Sequence, residues 1–479
     1  MTWRRNRTEA RFAVAATALG AAALLATTTP ATAVPAAGAS PLEGRPVSAG
    51  AGTAVPAADL PEYRTARDAE PITGKPSSSD GPELGPGLWT DALGRGEEKF
   101  YSVELDDVST VYLSVVAAPA PGTKVARFDD VLEMELTTTD GQKCDTAGKA
   151  SFGADGVAHP VGDYAARRIG GGVEECQEAG PYLFSVKREG KATSDPGEWP
   201  IELGHLVEPG LQGSIPAPPG EGSWSTDPPI PPAGSARRAQ GGTGLNDAAS
   251  ISAGVWKDRL LPGETRFYRV PVDWGQQLFA TAELPNAQDE DETSFRLVSE
   301  GLGLHLFNPA RAELVDGNFA SYSGEQTAAK LALRPLDYGN RYDDEGRGAS
   351  MAGWYHLAVT LHPDLAQFFP DGTNITVRVN LRGEAGAGPE YDGDPAAAGF
   401  EVSEEDRRAA ELGLSAGDAV PGGARRLIGW TGIGAGSVLV LGLALWTLLA
   451  RRRGVPAGHA PAGTAQHLPG PGYGPRGAE

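Results

Sequence analysis

The chain has 479 residues, a formal net charge of −21, 65 glycines, 39 prolines and two cysteines. This length excludes a single small module and leaves room for two or three domains, with Gly- and Pro-rich linkers between them. The acidic balance argues against nucleic acid as a partner, because such binding needs clustered Lys and Arg side chains to replace counterions.

The N-terminus has the pattern of a secretory signal peptide. Four arginines in the first 11 residues precede an apolar run from Phe12 to Ala26, and the small residues Ala31-Thr32-Ala33 follow. We therefore expect cleavage after Ala33. A permanent N-terminal membrane helix is the alternative, but the apolar run is short and rich in alanine for a span.

A second apolar segment, near the C-terminus, predicts one transmembrane helix. Leu427 to Ala450 contains no charged side chain, and its length matches the hydrocarbon core of a bilayer. Two arginines precede the segment and three follow it, which predicts a cytoplasmic C-terminal side. We expect a single-pass protein of the cell membrane, with an extracellular N-terminal region and the lipid bilayer as a partner of the helix.

An internal repeat organises the region between these two segments. Residues 84–103 align without a gap on residues 251–270, which is an offset of 167 residues (251 minus 84). Two copies of one module explain such a run. The coinciding pairs are Asp80/Asp247, Gly87/Gly254, Trp89/Trp256, Asp91/Asp258, Leu93/Leu260, Gly96/Gly263, Glu97/Glu264, Phe100/Phe267, Tyr101/Tyr268, Val103/Val270 and Asp106/Asp273.

Apolar residues alternate with period two in each copy, which predicts strands with one buried face. The strand at 101–105 and the next one at 111–115 match 268–272 and 278–282 in the second copy. We expect the two strands of each copy to pair as an antiparallel hairpin. Further strands are predicted at 131–137, 182–186, 201–203, 295–298, 355–361 and 375–381.

The second copy has a distinctive strand and turn. Phe267–Val272 reads Phe-Tyr-Arg-Val-Pro-Val, and the turn Trp274-Gly275-Gln276 precedes an alternating strand. This pattern resembles the bacterial pre-peptidase C-terminal domain and its actinobacterial relatives on secreted proteins. The first copy has Asp107-Val108-Ser109 in place of the turn, so the internal repeat connects it to the family. The resemblance implies a jelly-roll-like accessory module without catalytic residues of its own.

Together these patterns predict an all-β chain with two tandem antiparallel β-sandwiches, jelly-roll-like in type. A capping-box sequence at Ser403–Asp406 predicts one short helix that stops near Gly413. The expected organisation is a signal peptide at 1–33, a disordered linker at 34–79, the first sandwich at 80–208, a Pro-rich linker at 209–244, the second sandwich at 245–382, a stalk with the short helix at 383–424, the transmembrane helix with its arginine flanks at 425–453 and a disordered cytoplasmic tail at 454–479.

Cys144 and Cys176 are the only cysteines. Exported thiols normally pair, so we predict a disulfide between them. Closing a loop of this size stabilises the fold by about 3 kcal/mol in the chain-entropy model.

Catalytic patterns are poor, and we predict no catalytic residue, no metal site and no cofactor. Ser350 lacks the second glycine of a nucleophile elbow, and we interpret it as a loop serine. The acidic runs at 289–292 and 343–345 leave calcium binding open as an alternative to solvated turns. The exported histidines are expected to be structural; they are His159, His205, His305, His356 and His362.

Four aromatic residues alternate with the predicted core positions and therefore lie on the opposite strand faces. They are Phe100, Tyr112, Phe267 and Phe279. Exposed aromatic residues in both copies predict an interaction surface. Burial by a second sheet or a linker is the alternative.

The functional prediction is a non-catalytic cell-surface protein that presents two sandwiches for extracellular binding or assembly, with an envelope protein as the favoured partner. An accessory or sensory subunit of a membrane complex and a glycan-binding adhesin are the alternatives. An enzyme is the least favoured class, because no nucleophile, metal set or acid/base pair is apparent.

Overall fold

The computed structural model describes residues 59–416, except 145–146, 154–155, 171–172, 217–223, 228, 230–231, 233, 288–295 and 344–345. The chain divides into two units, and all described residues belong to the second, Gly52–Glu479. The predicted signal peptide, the transmembrane segment and the cytoplasmic tail lie outside the described residues. Within 59–416, no described helix is long and apolar enough to cross a membrane.

The first half of the described chain forms nine strands in two sheets. The strands are β1 (Glu70–Pro71), β2 (Gly87–Leu93), β3 (Glu98–Leu105), β4 (Thr110–Ala117), β5 (Val131–Thr138), β6 (Gly148–Ser151), β7 (Val161–Arg167), β8 (Gly180–Glu189) and β9 (Trp199–Glu208). One sheet has the order β1-β2-β9-β4-β7 and the other has the order β3-β8-β5-β6. Apolar residues from both sheets share one core, so this half is a β-sandwich.

The second half repeats this arrangement. Its strands are β10 (Arg237–Arg238), β11 (Ala249–Ser250), β12 (Gly254–Leu260), β13 (Thr265–Val272), β14 (Gln277–Leu284), β15 (Val298–Phe307), β16 (Glu313–Tyr322), β17 (Thr327–Ala332), β18 (Gly353–Leu361) and β19 (Thr373–Arg382). The sheets have the orders β10-β12-β19-β14-β17 and β11-β13-β18-β15-β16, and they enclose a second core. The two-residue strands β1, β10 and β11 pair in parallel.

The chain is therefore mostly β-sheet, as expected, but the predicted hairpins are wrong. β3 and β4 follow each other in the sequence and lie in different sheets, as do β13 and β14. Their apolar faces meet across the sandwich, because in each half eight strands have the order of a jelly roll, in which consecutive strands lie in opposite sheets except for one pair, β5 and β6 or β15 and β16. Period two identifies the buried face of a strand, but it does not identify the sheet to which the strand belongs.

The sequence repeat corresponds to repeated contacts. Asp91 accepts hydrogen bonds from the backbone N–H of Gly74 and from the Tyr101 hydroxyl, both at 2.8 Å. The same contacts recur 167 residues later at Asp258, Gly241 and Tyr268, at 2.8 and 2.7 Å. These coinciding residues therefore hold the fold in both copies, and positions at which the copies differ are candidates for specificity.

The predicted linkers are partly folded. Tyr63 and strand β1 belong to the predicted 34–79 linker, yet Tyr63 packs against Phe267 and β1 pairs with β2. In the predicted 209–244 linker, β10 pairs with β12. In the predicted stalk, Phe400 is only 1% exposed. These corrections have two causes: β1 and β10 extend sheet edges by backbone pairing, and the rings of Tyr63 and Phe400 pack on faces that the sandwiches leave open.

The described helices are few and short. Helix α1 spans Pro395–Ala398 and helix α2 spans Glu404–Leu412. Ser403 and Asp406 form the predicted capping box, and Gly413 closes α2 in a left-handed conformation with φ of 68°, so this prediction is confirmed. The 3-10 helices are Ser78–Asp80, Leu245–Asp247, Tyr338–Tyr342, Arg347–Ala349 and Pro363–Gln367.

The predicted disulfide is confirmed. Cys144 and Cys176 are bonded, with a Cα–Cα distance of 5.5 Å and a sequence separation of 32 residues. The bond joins the segment after β5 to the segment before β8. It therefore attaches the long connection between these strands to the first core.

Candidate functional site

The two sandwiches pack against each other through one sheet each. The sheet that contains β4, β7 and β9 of the first sandwich contacts the sheet that contains β13, β15 and β18 of the second. Two apolar clusters occupy this junction. One contains Tyr112, Tyr164, Ala166, Ala310, Ala312, Met351 and Phe400, and the other contains Val116, Leu245, Ala248, Phe267, Phe307 and Ala358.

The junction corrects the prediction of an exposed aromatic surface. Tyr112 and Phe267 lie on the predicted strand faces, but they are 2% and 0% exposed because the opposite sandwich covers them. Phe279 is also only 2% exposed, with the Arg382 guanidinium 5.5 Å from its ring centre. Phe100 alone is partly exposed. Strand faces that point away from the core of their own sandwich are therefore buried at Tyr112 and Phe267, because the other sandwich packs on them.

A buried ion pair crosses the junction. The Arg341 guanidinium donates to both carboxylate oxygens of Glu208, at 2.9 and 3.1 Å, and the two side chains are 2% and 1% exposed. The hydroxyl groups of Tyr112 and Tyr391 donate to the same carboxylate, at 3.0 and 2.7 Å. Three residues therefore donate to the Glu208 carboxylate, and two of them, Arg341 and Tyr391, belong to the second half of the chain.

A second pair lies near the other end of the same interface. Arg311 donates to Glu202 at 2.6 Å, and the side-chain amide of Asn246 donates to both Glu202 oxygens at 2.9 Å. Tyr63 and the backbone N–H of Ala66 also donate to this carboxylate. Burial opposes the charge of Glu202, but Arg311 and these donors outweigh burial and hold the pKa of Glu202 below its usual value. Both ion pairs hold the sandwiches in one relative position.

Ser350, a loop serine, is buried and donates to the carbonyl of Arg347 at 2.6 Å. His205 is buried with Nδ1 2.8 Å from the Leu84 carbonyl, and burial lowers its pKa. In the second acidic run, Asp343 pairs with Arg334 at 2.5 Å. The remaining residues of both runs, 289–292 and 344–345, lie outside the described residues, so the calcium alternative stays untested.

His356 makes the stability of the protein sensitive to acid. Burial, with help from Arg269 and Arg311, lowers the pKa of His356 to about 3. The unfolded chain binds this proton near pH 6.5 and the folded chain does not, so stability falls as the pH drops below 6.5. Because a pKa difference of one unit corresponds to 1.36 kcal/mol, the loss is about 3 kcal/mol at pH 4.5.

We predict that the His356→Gln variant loses less stability than the unmodified protein between pH 7 and pH 4.5, by about 3 kcal/mol. Urea unfolding at both pH values measures this difference. His362→Gln is the control, because the His362 side chain is partly exposed and caps the 3-10 helix Pro363–Gln367, with Nδ1 accepting a hydrogen bond from the Asp364 N–H. Equal pH dependence in all three proteins would contradict the prediction.

The two sheets that face away from the junction carry opposite charges. At the outward positions of β3, β5, β6 and β8, five carboxylates outnumber two lysines. The carboxylates are Glu98, Glu104, Glu133, Glu135 and Glu189, and the lysines are Lys149 and Lys187. Phe100 lies on this acidic face.

The outward positions of β10, β12, β14, β17 and β19 form the basic face. They carry six cations and one carboxylate in a chain whose net charge is −21. The cations are Arg238, Lys257, Arg259, Lys330, Arg378 and Arg382, and the carboxylate is Glu283.

The cationic positions of the basic face are open to solvent, whereas Phe279 and Gln277 on β14 of the same face are buried. Lys257, Arg259 and Lys330 are exposed, while Arg378 is held by Glu283 through contacts of 2.7 and 3.2 Å. Sequence reasoning missed this face. The alternation Thr376, Arg378, Asn380, Arg382 is readable in the sequence, but the pairing of β19 with β12 and β14 is what gathers the cations.

No family model matches the chain, and no curated protein matches it. Among solved structures, the extracellular domain of ANXUR2 from Arabidopsis thaliana is similar at 9% identity, over 63% of this chain and 86% of that chain, with a TM-score of 0.17. The tandem CBM51 modules of a family 98 glycoside hydrolase from Streptococcus pneumoniae are similar at 7% identity, over 62% and 83%, with a TM-score of 0.16.

The CBM22 tandem domain of Xyn10C from Paenibacillus barcinonensis is similar at 13% identity, over 67% of this chain and 100% of that chain, with a TM-score of 0.16. At such TM-scores these likenesses assign neither a family nor a function to this chain.

Proposed function

We propose that the chain is a non-catalytic, membrane-anchored extracellular protein that binds an acidic envelope protein through the basic face. The observation that carries this proposal is the gathering of six exposed or partly exposed cations on one sheet of a strongly acidic chain. Charge complementarity favours a partner with an acidic surface and steers its association. The resemblance to the pre-peptidase C-terminal domain, an accessory module, agrees with a role without catalysis.

The predicted anchor puts limits on where the partner lies. The described chain ends at Ala416, whose backbone N–H donates to Ala248 at 2.9 Å, so this end is attached to the second sandwich. Eight residues, 417–424, separate it from the predicted span at 425–453. Eight residues reach at most about 30 Å. With that span as the anchor, the basic face belongs to the membrane-proximal sandwich, and the partner is itself held close to the membrane.

The junction supports this reading of the architecture. Two buried ion pairs and two apolar clusters join the sandwiches, so the two sandwiches do not move independently of each other. A rigid pair keeps the basic face and the acidic face on opposite sides. Binding at the basic face therefore leaves the acidic face accessible for a second contact in an assembly.

Charge reversal tests the proposal. We expect the triple variant Lys257→Glu, Arg259→Glu and Lys330→Glu to lose at least tenfold of its partner cross-linking on intact cells, with a reagent that does not cross membranes. The matched control is Lys75→Glu, Lys124→Glu and Lys191→Glu, which makes the same charge change at exposed positions of the first half of the chain. The cross-linked partner is quantified by mass spectrometry.

Three outcomes would contradict the proposal. Equal cross-linking of the partner by both triple variants would show that the basic face does not bind it. Absence of any labelling by the impermeant reagent contradicts export. Selective loss of binding to vesicles that contain anionic lipid, with unchanged protein cross-links, makes lipid headgroups the ligand of this face instead of a protein.

A further inference from the structure

A cluster of metal-ligating side chains bridges the junction. His159 comes from the first sandwich, in the segment before β7, while His305 on β15 and Glu313 at the start of β16 come from the second. One nitrogen or oxygen atom from each residue lies within 4.8 Å of the other two. The two histidines are 4% and 1% exposed, and the Glu313 side chain is 10% exposed. The pairing of β15 with β16 brings His305 and Glu313 together, and the packing of the two sandwiches adds His159.

The hydrogen bonds of His159 define its ligand atom. Its Nδ1 lies 2.8 Å from the carbonyl oxygen of Val157, and a carbonyl only accepts, so Nδ1 carries the hydrogen. In the neutral ring Nε2 then holds the lone pair. Histidines that bind metals usually donate their other ring N–H to a carbonyl or carboxylate, which fixes the ring as it is fixed here.

His305 and Glu313 complete the set. His305 Nδ1 lies 2.7 Å from Glu313 Oε1, so the ring N–H donates to the carboxylate, and one hydrogen lies between a nitrogen and an oxygen ligand atom. The His159 and His305 ring centres are 4.5 Å apart, with an interplanar angle of 40°. Two imidazoles and one carboxylate are a common protein ligand set for Zn²⁺, with a water molecule in the fourth position.

We propose that His159, His305 and Glu313 bind one divalent transition-metal ion of the zinc class, which joins the two sandwiches. The ligands are Nε2 of His159, Nδ1 of His305 and Oε1 of Glu313. The ion takes the place of the hydrogen between His305 Nδ1 and Glu313 Oε1, and the neutral His305 ring then carries its hydrogen on Nε2, so that Nδ1 presents its lone pair to the ion. The site holds the junction and is independent of the partner proposed for the basic face.

The ligand types determine which ions compete. Imidazole nitrogens suit Zn²⁺, Co²⁺ and Ni²⁺, whereas Ca²⁺ and Mg²⁺ take oxygen ligands. Three protein ligands are available here and two of them are nitrogens, so calcium does not satisfy the site. The nitrogen ligands therefore distinguish the cluster from the acidic runs at 289–292 and 343–345, whose carboxylates are suited to calcium.

Metal titration of the purified, untagged chain after treatment with chelator tests the proposal. We expect Zn²⁺ to bind at one equivalent, Co²⁺ to give visible absorption bands of a tetrahedral complex, and Ca²⁺ and Mg²⁺ to give no response. Zn²⁺ should also raise the Tm in a saturable manner, because the ion binds only the folded junction. Absence of one-equivalent Zn²⁺ or Co²⁺ binding by the unmodified chain would overturn the proposal without any variant.

Variants identify the ligands. We expect His159→Gln, His305→Gln and Glu313→Gln each to weaken Zn²⁺ binding at least tenfold. The matched control is His205→Gln, which changes another buried histidine whose Nδ1 lies 2.8 Å from a backbone carbonyl, outside the cluster. Unchanged Zn²⁺ affinity in the His159→Gln and His305→Gln variants would overturn the assignment. If a variant does not fold, Asn replaces Gln at that position, and its Zn²⁺ affinity is compared with that of the same control.

Discussion

Replacement of Arg341 by methionine is expected to lower the free energy of unfolding by about 4 kcal/mol. The reason is the partner that remains. Glu208 is 0% exposed, and without Arg341 its carboxylate keeps only the hydroxyl groups of Tyr112 and Tyr391 as donors. A buried ion pair adds little net stability as a pair, but removal of one member leaves an uncompensated buried charge. Urea unfolding of the purified protein at pH 7 measures the loss.

Two further variants make this prediction specific. The double variant Arg341→Met with Glu208→Gln should recover a large part of the loss, because no buried charge remains. Arg378→Met removes the partner of Glu283 on the basic face, where the side chains are 28% and 18% exposed. This variant should lose about 1 kcal/mol or less, since a partly exposed pair is weaker than a fully buried one. Equal losses for Arg341→Met and Arg378→Met would show that Glu208 is not desolvated at the junction.

The sequence alone predicts the strands of each sandwich well where alternation is strict. Tyr101, Val103 and Leu105 are buried on one face, as expected from period two. Strands with small or polar inward residues were missed, and β6, at Gly148–Ser151, is an example. The hairpin prediction failed because β3 and β4, like β13 and β14, belong to opposite sheets of a jelly roll. That choice depends on packing between sheets, which a local pattern does not encode.

The candidate sites are less accessible to sequence reasoning. Glu208 and Arg341 are 133 residues apart, and His159 and Glu313 are brought together only by the contact between sandwiches. A motif search at short sequence spacing does not predict such pairs. The repeat does give one usable signal: because shared residues such as Asp91 and Asp258 hold the fold, residues that differ between copies are the candidates for function. Lys257 on the basic face aligns with Thr90 and is one such position.

Phe267 and Phe100 occupy equivalent positions in the two copies, so they give a matched test of the junction. Phe267 is 0% exposed and contacts the rings of Tyr63 and Phe307, with ring centres 6.2 and 6.3 Å away. Phe267→Ala should therefore lower the free energy of unfolding by about 4 kcal/mol, through lost burial and a cavity between the sandwiches.

Phe100→Ala should cost less than half as much, because Phe100 lies on the open acidic face and is only partly buried. Unfolding in urea gives both values, and limited proteolysis reports whether the junction opens in the Phe267→Ala variant before the sandwiches unfold. The difference between the two losses measures how much more burial Phe267 has than Phe100. If both substitutions cost the same, the opposite sandwich does not bury Phe267, and the rigid arrangement that separates the acidic face from the basic face is lost with it.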